Sequence, residues 1–398
     1  MRFETAKIKD LISEISMGPF GSNIKVECFV DTGIPVLNGS NLDGFVLKEN
    51  SFRYVTEEKA DSLGRANAHR GDVVITHRGT LGQIVFIPKT SLYDRYVISQ
   101  SQFRVRCNHR VLPEYLVYYF HTRKGQHKLL SNASQVGVPA LARASTTFQE
   151  IEIEVPSVID QERIVGILEA IREKEEINNA INENLLQQAQ AIFTQEFLVF
   201  DKVPDSWQEG SLLDIADYLN GLAMQKFRPK EGEQGLPVLK IKELRQGSCD
   251  ANSELCSPSI KPEYIVHDGD VIFSWSGSLL VDLWCGGTCG LNQHLFKVTS
   301  SKYDKWFYYA WTNHHLDKFA AIAAGMATTM GHIKREELAK AEVLIPSKAD
   351  YDRIGSLLAP LYDLVIANRI ENRKLAALRD ELLPQLMSGQ IDVSEVSL

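Results

Sequence analysis

The hydrophobic pattern of this chain is dominated by one long periodic run. From 159 to 200, apolar residues fall at Ile164, Leu168, Ile171, Leu185 and Ile192, spaced by three and four and their multiples. Gly166 is the last glycine of the run and no proline comes before Pro204, so the pattern predicts a single helix. At 1.5 Å per residue such a helix spans roughly 60 Å. It is too polar to cross a membrane and too long for an ordinary surface helix. The pattern then recurs at an offset of 190. Between Tyr351 and Met387, Ile354, Leu358 and Leu361 take the places of Ile164, Leu168 and Ile171. Leu375 and Leu382 replace Leu185 and Ile192, and Asn368 and Asn372 replace Asn178 and Asn182. Two such helices, each too exposed alone, are expected to bury their seams on one another.

The segments before the helices echo each other as well, and such internal repeats organise a fold. Gly33-Ile34-Pro35-Val36-Leu37 returns as Gly235-Leu236-Pro237-Val238-Leu239, and Gly71-Asp72-Val73-Val74 as Gly269-Asp270-Val271-Ile272. Gln102-Phe103-Arg104-Val105 returns as Leu295-Phe296-Lys297-Val298, and Val155-Pro156-Ser157 as Ile345-Pro346-Ser347. The offset drifts from 202 to 190, so the two copies carry different insertions. The order is globule, helix, globule, helix: an α+β chain of two similar mixed α/β domains with two long helices in an antiparallel coiled coil, related by a pseudo-two-fold repeat. The boundaries expected are 1–155 and 201–345 for the globules, 156–200 and 346–390 for the helices, and a frayed tail at 391–398. Within each globule, strands follow the Gly-Asp turns and a helix starts at Pro113, echoed from Tyr303 to Trp311. Polar loops separate them: His77 to Thr80 with Trp275 to Ser278, and Asn132 to Gly137 with Gly325 to Gly331.

Composition narrows the function classes. The 398 residues are 44% hydrophobic, an ordinary value for a globular protein. Six cysteines are too few and too irregular for a disulfide framework. The start lacks the apolar core of a signal peptide, and no run approaches the length of a membrane span, so a reduced, cytoplasmic protein is expected. The net charge of −8 argues against a basic stripe along the whole chain. Its distribution softens this: residues 1–155 carry 19 Lys and Arg against 16 Asp and Glu, whereas residues 156–200 carry 3 against 8. There is no GxxxxGK[ST] phosphate loop, no GxGxxG run, and no Pro-Pro of the kind an amino-methyltransferase motif needs. Cys285 and Cys289 with His294, or Cys249 with Cys256, are the nearest approach to a metal cluster. The first half has no counterpart to them, and they are read as buried thiols. No catalytic residue, metal or cofactor is expected in the chain.

The candidate residues lie on the repeated loops. Arg78 and Thr80 sit on a turn between strands, where Arg reads guanine or holds phosphate, and Ser276 and Ser278 stand in the same place in the second copy. Ser134 and Gln135, with Thr328 and Thr329, are polar tips of the second repeated loop. Asn38, Lys240 and Lys242 follow the repeated Pro-Val-Leu strands, and Arg143, Lys334 and Arg335 follow the polar loops, all in reach of a phosphate backbone. Asn178, Asn182, Asn368 and Asn372 are candidates for buried polar residues that fix helix register.

The chain resembles the specificity subunits of Type I restriction-modification systems. The helix starts VPSVIDQERIVGILEAI and IPSKADYDRIGSLLAPL, the GDVV and GDVI turns and the LLPQLMSGQI ending carry the resemblance. The first helix start keeps the family's Gln161-Glu162-Arg163-Ile164, and the second departs as Tyr351-Asp352-Arg353-Ile354. The resemblance implies that each globule is a target recognition domain reading one half of a bipartite double-stranded DNA site. It further implies that the helices set the half-site spacing and dock two adenine-N6 methyltransferase subunits, with restriction and motor subunits in the full complex. S-adenosylmethionine, ATP and Mg would then belong to the partners. Two rival readings are an adaptor holding two protein-binding domains, and a DNA enzyme fused to its own reader; the missing motifs disfavour the latter.

Overall fold

The structure is a computed structural model that describes residues 1–134, 137–199, 202–325 and 332–396, without the side chain of Ser22. The chain forms two compact units, Met1–Arg172 with Ala377–Leu398, and Glu173–Ala376. Each long helix is therefore shared between units, so the units do not follow sequence order.

The two units repeat one topology. In the first, strands Ile12–Met17, Gln102–Cys107, Asp72–Thr76 and Ile84–Phe86 form a four-stranded sheet in that order. In the second, Asp217–Asn220, Leu295–Thr299, Val271–Ser274 and Leu280–Leu283 do the same. Each unit adds a second sheet in which the Pro-Val strand runs parallel to a later strand, Ile34–Val36 beside Arg95–Val97 and Leu236–Leu239 beside Cys289–Leu291. In each, the segment before the long helix pairs with the unit's first strand, Glu152–Val155 on Glu4–Lys7 and Glu342–Ile345 on Gln208–Ser211.

The repeated motifs explain themselves in space. Asp72 of the Gly-Asp turn is fully buried and accepts from the His69 amide at 2.9 Å. The repeated Phe-Arg-Val strand lies beside it, and Arg104 and Arg106 reach the same carboxylate. In the second unit Asp270 accepts from the His267 amide at 2.8 Å and pairs with Lys297 at 2.8 Å. Turn and cation are one device, because a buried carboxylate needs both hydrogen bonds and an opposite charge. Arg104 also donates to Glu14 at 2.9 Å, and that bond holds the Glu14 carboxyl below its ordinary range.

The long helices run Val158–Phe197 and Lys348–Ser388. Pro156 and Pro346 end the preceding strands, and Ser157 and Ser347 cap the helices by accepting from the amides of Asp160 and Asp350 at 3.2 and 3.3 Å. In the first unit Ile164, Leu168, Leu383, Leu386 and Met387 share a core with the globule. In the second, Ala189, Phe193, Phe197, Ile354, Leu358 and Tyr362 do so. There Asn178 meets Asn372, Asn182 meets Asn368 and Glu196 meets Arg353, so the helices pair antiparallel.

The expected seam drifts by one position toward the far end of each helix. Phe193 is buried where Ile192 is half-buried, and Leu383 where Leu382 is half-buried. A straight helix slips about 20° per heptad against a strict seven-residue repeat, so four heptads displace the seam by nearly one residue. Leu361, one heptad after Ile354 and so not displaced by this drift, is half-buried beside the buried Tyr362. Of the tail expected to fray, the described residues 391–396 are docked. Val393 is fully buried in the first unit's core and Asp392 pairs with the Met1 ammonium at 2.8 Å. Among the described residues no helix is long and apolar enough to cross a membrane.

Candidate DNA interface

In each unit the first loop singled out in the sequence meets the segment that follows the second. In the first, the turn after strand Asp72–Thr76 reverses at Gly79, whose φ of +92° lies in the left-handed region that glycine tolerates. The turn is stitched to the second loop: the Leu141 amide donates to the His77 carbonyl at 2.9 Å, and the Gly79 amide to the Pro139 carbonyl at 2.8 Å. Arg78 and Ala140 face each other in an isolated antiparallel bridge. The second unit repeats the stitch, with Ser276 opposite His332 and the Ile333 amide on the Trp275 carbonyl at 2.9 Å.

The two edges so built differ in chemistry. Arg78 and Thr80 are exposed, and Arg78 has no ion pair or side-chain hydrogen bond among the described residues. His77 is anchored by a ring nitrogen on the Gln100 carbonyl at 3.1 Å. Burial chiefly, helped by the charge of Arg78, pushes His77 below the ordinary imidazole range. The second turn carries no cation. Trp275 donates its indole N–H to Asn220 Oδ1 at 3.0 Å and packs against His294 and His332. Ser276, expected to contact DNA, is buried with its hydroxyl 3.1 Å from His294 Nδ1, so it braces the turn; Ser278 is half-buried.

Other candidates are sorted by their partners. Lys240 and Lys242, expected as phosphate contacts, are paired with Glu254 at 2.7 Å and Asp250 at 3.1 Å, because acidic residues of the following loop return beside them. Asn38 is turned onto its own chain, its Oδ1 accepting from the Ser40 amide at 2.8 Å. Arg143 is exposed in the left-handed region at φ +48°, a strained conformation for a residue with a side chain. Lys334 is exposed and has no ion pair among the described residues, and Arg335 donates to the Tyr218 carbonyl at 3.4 Å. Ser134 is exposed on a short strand paired with Ala140–Leu141. Gln135, Thr328 and Thr329 lie outside the described residues.

On the helices, Asn178, Asn182 and Asn368 are buried and Asn372 half-buried. Asn178 Nδ2 donates to Asn372 Oδ1 at 2.8 Å, Asn368 Nδ2 to Asn182 Oδ1 at 2.9 Å, and Asn372 Nδ2 to Asn179 Oδ1 at 2.9 Å. Sequence reasoning missed the first unit's second cation-bearing wall. There Arg53 lies 5.2 Å from the centre of the Phe29 ring, close to an exposed Phe20. The Gly18-Pro19-Phe20-Gly21 turn, with an aromatic residue between turn formers, was the available signal. Among the described residues no group of three or more His, Cys, Asp or Glu side chains could hold a metal ion.

The model of the Type I restriction modification DNA specificity domain matches residues 3–187 and 204–379, one match for each half of the repeat. The chain belongs to this family. It is 23% identical over 418 residues to the Type I restriction enzyme MjaIX specificity subunit of Methanocaldococcus jannaschii, spanning 99% of this chain and 94% of that one. It is 26% identical over 189 residues to the Type I restriction enzyme EcoBI specificity subunit of Escherichia coli, covering 46% of this chain and 37% of that one. Among solved structures, the S subunit of a Type I restriction-modification system from M. genitalium is similar in fold. Its TM-score is 0.58 at 13% identity, with 97% of this chain and 96% of that chain covered. The two specificity domains carry the two stitched turns, and the double match agrees with a reader of bipartite DNA sites.

Proposed function

We propose that this chain is the DNA-reading subunit of a Type I restriction-modification complex and performs no catalysis itself. The observation that carries this is the stitched turn, present in both units on the same frame but with different side chains. Phosphate contacts position a reader and base-edge contacts specify, so two frames with unlike edges suit two unlike half-sites. Arg78 and Thr80 serve the first half-site, with Arg143 and the strand bearing Ser134 beside them. Ser278, Lys334 and Arg335 serve the second. The Asn ladder fixes the register of the paired helices, whose length sets the separation of the half-sites.

Two DNA methyltransferase subunits are the partners on this reading, with restriction and motor subunits completing the assembly in the cytoplasm. S-adenosylmethionine, ATP and Mg are assigned to those partners. The test is methylation mapping in a host with and without this chain, together with exchange of residues 1–155 for those of a relative. One bipartite site should appear with the chain, and only one of its halves should change on exchange. A change in both halves, or methyl transfer by the purified chain alone, overturns the reading.

A further inference from the structure

The first unit holds a cavity of 460 Å³ lined by Phe20, Phe29, Asn38, Arg53 and Gln100, with the backbone of Gly21 at its edge. This is a usual size for a small-ligand site. Three observations mark it out. Phe20 is 84% exposed, an unusual cost for a large aromatic ring. Ser51 on the rim is held at φ +56°, a conformation that costs free energy in a residue with a side chain. Arg53 is exposed over the Phe29 ring and has no ion pair among the described residues.

The second unit shows what the fold does when this corner is not needed. Gly18 and Gly221 occupy the same place: a Cβ on Gly18 would lie 1.9 Å from the Ser99 carbonyl oxygen, and one on Gly221 2.3 Å from that of Asn292. Counting on from these glycines, the short helical turns Gly21–Asn23 and Met224–Lys226 coincide. Met224 is buried against Val238, Cys256 and Ile260 and plugs the corner. Gly21 stands in its place in the first unit and carries no plug; the flexible end of the Gln100 side chain takes the adjoining space, 2.2 Å from where a Cβ on Gly21 would lie.

We propose that this cavity accepts one nucleobase unstacked from the DNA bound by the first unit. The inference rests on the DNA-reading function proposed above. Aromatic faces at Phe20 and Phe29 suit a base plane, the side-chain amide of Gln100 suits its edge, and Arg53 suits the adjoining phosphate, while Asn38, bonded to Ser40, braces the wall. The cavity is continuous with the candidate interface, since the Gln100 carbonyl anchors His77 beside Arg78.

The experiment selects a preferred duplex from a random pool with the full chain, without partner subunits. It then places 2-aminopurine at each position of the half-site read by the first unit. One position should brighten severalfold on binding the native chain. The brightening should be lost in Gly21→Met, which copies the second unit's plug and pushes aside the flexible end of Gln100, and in Phe20→Ala, a change at an exposed side chain. A selected duplex with no bright position overturns the proposal, as does brightening that survives in Gly21→Met. Selection of no duplex at all overturns the DNA reading, and this proposal with it.

Discussion

Asn368 donates its side-chain N–H to the side-chain oxygen of Asn182 at 2.9 Å between the two long helices, and both residues are buried. An amide in an apolar seam is tolerated only when its partner is opposite, so the pair favours one register over its neighbours. Replacing Asn182 alone by Leu leaves Asn368 unpaired and should cost about 1–3 kcal/mol. The double replacement with Leu should recover most of that loss and permit sliding of the helices. Urea denaturation of the single and double variants checks this. Equal destabilisation by the single and double changes counts against a register role.

Gln161 and Tyr351 differ in chemistry but do one job. Gln161 accepts from the Leu112 amide at 2.9 Å, and Tyr351 accepts from the Asp304 amide at 2.7 Å; each donor immediately precedes a globule helix. Tyr351→Phe should therefore destabilise the protein by about 1–3 kcal/mol although it removes a single oxygen. Gln161→Leu should cost at least as much, since the Gln161 amide also donates to the carbonyls of Arg110 and Pro156. Thermal unfolding of both variants is the measurement. A neutral Tyr351→Phe would mean that the Asp304 amide finds another acceptor.

Arg78→Ala should weaken DNA binding, relaxing one position by about 1–3 kcal/mol if the guanidinium reads a base, or lowering the salt slope by about one if it holds a phosphate. Lys242→Ala should leave the slope unchanged, because Asp250 already neutralises that ammonium. Affinity measured over a salt series separates the outcomes. An unchanged affinity in Arg78→Ala leaves Arg78 as a turn residue only.

Burial pushes His121 and His315 below the ordinary imidazole range, against weaker opposing hydrogen bonds to the carbonyls of Ile84 and Glu342. In the unfolded chain each titrates near 6.5, so on acidification the unfolded state takes up the proton first. Their contribution is fully present above about pH 6.5 and is lost as pH falls toward the depressed folded value. The melting temperature should therefore drop between about pH 7 and pH 5, before ordinary carboxylates titrate. His315→Gln, which keeps a donor for Glu342, should flatten the profile. An equally steep profile in that variant assigns the effect elsewhere.

The repeat, the long helices and the doubled Gly-Asp turns were legible in the sequence. Each depends on spacing along the chain or on a residue's own backbone preference. The seam was legible only at its start, because the helical period accumulates error and Phe193 replaced Ile192 four heptads on. The four helix asparagines were legible because they lie on a periodic seam, but the fate of several loop candidates was not. Lys240 and Lys242 read as phosphate contacts until the fold returned Glu254 and Asp250 beside them, and Ser276 read as a DNA-facing turn residue until His294 packed behind it. Whether a polar group faces solvent or a partner is set by which distant segments meet. Likewise Gly21 and Met224 show that one fold holds an open corner in one copy and a filled one in the other. That difference appears only when the two copies are folded and compared.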